Sequence, residues 1–122
     1  MISYKETKEI SGTDLKKLYS SVQWFAYTND MKVLRKAINN SLAMVTTWDD
    51  NKLIGLVRVV GDGYTIIYFQ DILVHPEYQN QKIGITLISI ILNKYKHVRQ
   101  KVLLTESALM HLLLIIYIML TK

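Results

Sequence analysis

Apolar and polar positions along this chain fall into runs of β-forming residues and into stretches where apolar side chains recur every third or fourth place. The β-forming runs are Leu42 to Trp48, Lys52 to Val60 and Tyr64 to Val74, which predict three consecutive strands. Asp49-Asp50-Asn51 and Gly61-Asp62-Gly63 separate them with tight-turn chemistry, so the three strands are expected to form an antiparallel meander. Helical spacing of Leu15, Leu18, Tyr19 and Val22 predicts a helix capped at Thr13 or Asp14 and ending near Val22. Met31, Leu34 and Ile38 predict a second, from Asp30 to about Asn39. Ile83, Leu87, Ile88, Ile91 and Leu92 predict a third, ending near Lys96. Ile2 to Lys5 reads as a first strand. Lys101 to Thr105 reads as a last one, parallel to the strand before the third helix because a crossover separates them. Gln23 to Asn29 is left as a loop holding Trp24, Phe25 and Tyr27.

Length and composition narrow this to a single α/β domain over residues 1–122. Half of the residues are hydrophobic and Pro76 is the one proline, which excludes a linker-rich or disordered chain. No cysteine is present, so there is no disulfide framework and no thiol nucleophile. The opening MISYKETKEI has no apolar signal core, and a cytoplasmic protein is expected. The net charge of +5 draws on a basic cluster at Lys94, Lys96, His97, Arg99 and Lys101. No aromatic ladder, zinc spacing or recognition-helix pattern accompanies it, so no nucleic-acid partner is expected. The cluster suits a helix C-terminus and a solvated face that attracts anions.

The chemistry concentrates between Asp71 and Leu87, DILVHPEYQNQKIGITL. Ile72, Leu73 and Val74 are β-formers, and Pro76, lacking an N–H, stops the strand. Gln79, Asn80, Gln81, Lys82, Ile83 and Gly84 then fill the strand-to-helix turn and the first helical positions. Free N–H groups, a helix N-terminus, the Lys82 charge and a glycine without a Cβ make this a site for a phosphate-bearing ligand.

The run from Val74 to Gly84 resembles the acetyl-CoA signature of the GNAT superfamily of N-acetyltransferases, Q/R-x-x-G-x-G/A after a strand ending in V-x-P. Gln79 and Gly84 match, and Lys82 stands where the first glycine is usual. The order of predicted elements resembles the GNAT fold as far as about Glu106: a mixed, mostly antiparallel sheet flanked by helices. The resemblance implies acetyl-CoA as cofactor, held by Ile72, Leu73 and Val74 on a splayed strand edge and by Gln79 to Gly84, Ile85 and Thr86 around the helix start. It further implies transfer of acetyl to a primary amine of a small molecule or peptide, with a strand N–H stabilising the thioester oxygen. Trp24, Phe25 and Tyr27 resemble the wall of the family's acceptor pocket.

An amine with a pKa near 10.4 must lose a proton before it attacks. Asp71, at the splayed strand, is the candidate base or the holder of a water relay, against the plainer reading that it orders a loop. Arg58 either meets an anionic group or forms a cross-strand pair. Residues 107–122 depart from the family: the F-Y pair of its last helix and its final strands are absent. Instead Ala108 to Leu120 carries no charge, and its thirteen residues reach about 20 Å as a helix, too short to span a membrane. This tail is expected to take the place of the missing strands or to pair two copies in a homodimer. Tyr117 falls roughly where the family's thiolate-protonating tyrosine would be. The alternatives to an active enzyme are a degenerate module that holds CoA with little turnover, or an interaction protein docking through its apolar tail.

Overall fold

The computed structural model describes residues 1–103. The tail, with Tyr117, lies outside them. Five strands, β1 (Ile2–Glu6), β2 (Ala43–Asp49), β3 (Lys52–Gly61), β4 (Ile66–Val74) and β5 (Gln100–Leu103), lie side by side in chain order. Every neighbouring pair is antiparallel except β4 and β5, which run parallel across a helical crossover, α4 (Ile83–Lys94). The helices α1 (Gly12–Ser21), α2 (Phe25–Thr28) and α3 (Met31–Asn39) join β1 to β2. The mixed α/β architecture and the antiparallel meander thus match the expected ones.

The sheet separates two apolar clusters. On one face Leu15, Leu18 and Tyr19 of α1 and Leu34 and Ile38 of α3 pack on Met44, Leu53, Leu56 and Leu73. On the other, Ile83, Leu87, Ile88 and Ile91 of α4 pack on Val45, Ile54, Val57, Val59, Ile67 and Phe69. Removal of this apolar surface from water is the main drive for assembling the layers.

Local chemistry sets the boundaries. The cap of α1 is Ser11, two to three residues ahead of the expected Thr13 or Asp14; its Oγ accepts from the Asp14 N–H at 3.0 Å. Asp30 caps α3 as expected, accepting from the Val33 N–H. The aromatic stretch expected to be a loop holds α2, a single turn that begins after Trp24. The β2–β3 turn uses Asp50 at φ 51°. In the β3–β4 turn one Asp62 oxygen accepts from the main-chain N–H groups of Tyr64, Thr65 and Ile66, and the other accepts from the Thr65 hydroxyl. These bonds, the Thr65 hydroxyl foremost, hold the Asp62 carboxyl well below the usual carboxylate range. They also delay β4 to Ile66, two residues past the expected start at Tyr64.

Strand β4 is irregular where it matters for the site. Against β3, Asp71 sits opposite Arg58 and Phe69 opposite Val59, so Gln70 is an extra residue, a bulge. Before it, Ile67 and Phe69 face α4; after it, Ile72 and Val74 do. The bulge shifts the alternation by one and turns Asp71 and Leu73 toward α1 and α3. Strand β5 pairs with Ile66 to Phe69, with Leu103, the last described residue, opposite Phe69. From Gln70 onward, one edge of β4 therefore has no strand partner among the described residues.

Candidate functional site

The end of β4 leads through a short turn into the start of α4. His75 donates its N–H to the Ile54 carbonyl at 2.7 Å. Main-chain groups alternate in direction along an antiparallel strand, so Asp71 and Leu73 also turn theirs to β3, while Ile72 and Val74 turn theirs to the opposite side. Of the three strand residues expected to hold a cofactor, Ile72 and Val74 are directed away from β3 in their main chain. Leu73 is not: its side chain is buried under α1 and α3, and its main chain is directed at β3.

Pro76 to Tyr78 form a 3-10 turn that fixes the path from β4 to α4. The Tyr78 hydroxyl donates to Asp49 Oδ2 at 2.6 Å, which lowers the Asp49 carboxyl and raises the Tyr78 phenol from their ordinary values. Glu77 donates its N–H to His75 Nδ1, so His75 serves as a turn cap. Gln79 folds back and donates Nε2 to the Val74 carbonyl at 3.3 Å. Asn80 and Lys82 adopt left-handed backbone, φ 69° and 62°. Lys82 is the residue before α4, and no side chain caps the helix. The first bond back into the helix is from the Thr86 N–H to the Lys82 carbonyl, which leaves the amides of Ile83, Gly84 and Ile85 aimed out of the N-terminus.

Gly84 gives the strongest test of whether an anion fits here. A Cβ built on it would meet only Val74 Cγ2, at 4.0 Å. Nothing in the packing demands a glycine at that position, and the space above its backbone is open beside three free amides. Gln79, Asn80, Gln81 and Lys82 are exposed around this space, and Gly84, Ile85 and Thr86 are half-buried at its floor. The Ile83 side chain is in the core against Gly55, so its contribution is limited to its N–H. The arrangement can bind a phosphate at the helix dipole and accept an extended ligand along Ile72 and Val74 by main-chain hydrogen bonds. A separate groove of about 650 Å³ between α1 and the β2–β3 turn touches this region only through His75; none of residues 79–86 lines it.

Asp71 is placed inside the molecule, only 2% exposed. Its Oδ2 accepts from Arg58 Nε at 2.8 Å and from the Tyr19 hydroxyl at 2.9 Å, and its Oδ1 accepts from the Tyr27 hydroxyl at 3.1 Å. Arg58, 4% exposed, also donates to Ser41 Oγ and to the Tyr27 oxygen. Burial, reinforced by the Asp71 charge, pushes the Tyr19 phenol far above its ordinary range. A carboxylate with both oxygens engaged and a guanidinium beside it does not match the expected free base. Arg58 takes the cross-strand option, with the pair buried rather than at the surface. A tyrosine on the buried face of a helix needs a partner for its hydroxyl, and Tyr19 was the one signal in the sequence that pointed to this cluster.

The three aromatics of the expected acceptor wall part company. Trp24 and Tyr27 are half-buried and join Tyr19 in a ring cluster with centroids 5.2 to 6.3 Å apart. Phe25 is 51% exposed and is the one turned to solvent. Tyr68 is half-buried and Gln70 exposed, beside the bulge. Among the described residues no helix is long and apolar enough to cross a membrane.

A bulged β4 that leads through a 3-10 turn into an uncapped helix N-terminus has the layout of an anion-binding site. The acetyltransferase (GNAT) domain matches residues 7–110, and the chain belongs to this family. It is 29% identical over 97 residues to the uncharacterized ycf52-like N-acetyltransferase of Prochlorococcus marinus, an alignment that takes in 76% of this chain and 53% of that one. The chain spans about half the length of the curated relatives it matches. Among solved structures, a GNAT-family acetyltransferase from Streptococcus pneumoniae TIGR4 superposes with a TM-score of 0.77 at 36% identity, covering 88% of this chain and 77% of the other. AAC(6')-Iy in complex with the bisubstrate analogue CoA-S-monomethyl-acetylneamine shares the fold, with a TM-score of 0.63 at 15% identity over 88% of this chain and 81% of that one.

Proposed function

We propose that this chain works in the cytoplasm as an N-acetyltransferase that takes acetyl from acetyl-CoA and passes it to a primary amine of a small molecule or peptide. The observation that carries this is the open cradle over Gly84, ringed by uncapped amides and reached directly from the end of β4. The amides of Ile83, Gly84 and Ile85 would hold the pyrophosphate, with Lys82 adding charge. Ile72 and Val74 would bond the extended arm. When bound, acetyl-CoA supplies the activated acetyl group. The N–H groups of Ile72 and Val74 would stabilise negative charge on its carbonyl oxygen, and Phe25, the exposed one of the three loop aromatics, would meet an acceptor. The CoA complex of AAC(6')-Iy supports the choice of cofactor by analogy of fold.

A second reading is a CoA-holding module with little turnover, favoured by the engagement of Asp71 with Arg58, which removes the expected proton acceptor. Calorimetric titration with acetyl-CoA, followed by a panel of amines with thiol release as readout, separates the two. Binding with release establishes the enzyme, and binding without release establishes the module. Gly84→Glu places bulk and negative charge in the cradle and is expected to weaken acetyl-CoA binding by about 100-fold or more, the loss of roughly two charged hydrogen bonds. Unchanged affinity in that variant would remove the basis for both readings.

A further inference from the structure

Two glycines meet the start of α4, and they serve it in opposite ways. Above Gly84 a Cβ would find open space. At Gly55, inside β3, a Cβ would sit 3.1 Å from Ile83 Cγ2 and 3.3 Å from both Cβ and Oγ1 of Thr47. Gly55 lies in ordinary extended backbone, so no turn demands it. A glycine that weakens a strand without shaping its backbone marks a close approach, and what approaches is the first residue of α4. Gly55 pairs with Thr47 of β2 on one side and with Val74 of β4 on the other. Ile83 seats its Cγ2 in the gap that the missing side chain leaves. The seat is stiff: Thr47 is fully buried and branched at Cβ, and the strand beneath is paired along both edges.

We infer that Gly55 is a positioning residue for the anion cradle: its missing side chain sets how deeply the first turn of α4 sits on the sheet, and so where the cradle amides point. The link is short. Ile83 is 3% exposed, and its Cγ2 hangs directly from a Cβ whose rotamer the helix fixes. The place of Cγ2 is therefore tied to the Ile83 main chain, whose N–H opens the row of free amides continued by Gly84 and Ile85. A Cβ at position 55 would push on this residue from below, while the ligand is met from above. Gly55 acts through Ile83 and not on the ligand. The inference deepens the acetyltransferase reading and rests on it for the identity of the anion, the pyrophosphate of acetyl-CoA.

Gly55→Ala fills the seat, and inorganic pyrophosphate, the anion without the rest of the cofactor, is the probe. It is titrated into isotope-labelled protein and followed by NMR at the amides of Ile83, Gly84 and Ile85. The new Cβ forces its neighbour to yield by a few tenths of an ångström. Affinity for pyrophosphate is expected to fall about tenfold, the equivalent of one hydrogen bond to an anion. Adding Ile83→Leu removes Cγ2, the atom that the new Cβ meets, and is expected to restore affinity to within about threefold of the parent, a coupling that general damage to the core would not show. Parental affinity in Gly55→Ala overturns the inference, and so does a loss that Ile83→Leu fails to restore. Should Gly55→Ala not fold, Ile83→Ala empties the seat instead, and parental affinity there overturns the inference equally. Calorimetry with acetyl-CoA on the same proteins should follow the same order. A parent that shows the pyrophosphate pattern but binds no acetyl-CoA sinks the acetyltransferase reading and keeps the seat. A parent that binds acetyl-CoA without the pattern keeps the reading and sinks the seat, and one that binds neither removes both.

Discussion

Lys82, standing where the resembled signature has its first glycine, occupies left-handed backbone at φ 62°. A side chain with a Cβ costs about 1 kcal/mol or more there. Lys82→Gly is accordingly expected to raise stability by about 0.5–1 kcal/mol in urea unfolding, after allowing for glycine's extra freedom in the unfolded chain. The same change removes a cation beside the proposed pyrophosphate site, so acetyl-CoA affinity should become less sensitive to salt. Titrations at low and high ionic strength check the second effect independently of the first. The turn was legible in the sequence because proline, glycine and the apolar periodicity all mark it. Its left-handed residues were not, since lysine gives no conformational signal of that kind. Asp71 was misplaced for a related reason. Its partner Arg58 is thirteen positions away, and only the register between two strands brings them together.

At the scale of elements, the turn chemistry was more informative than the periodicity. Asp62 was read as a turn residue, and its carboxylate organises the β3–β4 connection through four hydrogen bonds. Because folding lowers its pKa from the ordinary value of 3.8, the ionised form stabilises the native state at neutral pH. That contribution is fully present above the unfolded pKa and fades as pH falls below about 4. Asp62→Ala should lower the urea midpoint at pH 7 and flatten its fall between about pH 5 and 2.5; equal slopes in the two proteins would show that other carboxylates dominate acid unfolding. Helix α2 escaped the sequence reading because one turn of Phe-Ala-Tyr-Thr is too short to carry a period. It is held by hydrogen bonds and ring packing that only the tertiary structure supplies. The three longer helices were legible because each buries a stripe several turns long.

Across the whole molecule, β4 is the shared wall of both apolar layers and the edge from which the proposed site opens. The order and direction of the strands followed from turn residues and from the crossover through α4. The bulge in β4 did not, because Gln70 is an unremarkable polar residue in a strand that alternates on either side of it. Counting without Gln70 shows what it contributes. Ile67 and Phe69 would be followed by Asp71, Ile72, Leu73 and Val74 in unbroken alternation, each facing the layer that it already faces. The fold would survive the deletion of a single codon with its interior intact. What it would lose is the bend that the bulge puts into β4 ahead of the proposed site. A chain lacking Gln70 is therefore expected to unfold cooperatively near the parental midpoint while its affinity for acetyl-CoA collapses. The capacity to fold and the capacity to open a site would then be carried by different residues of one strand, and a lineage could discard the second without disturbing the first.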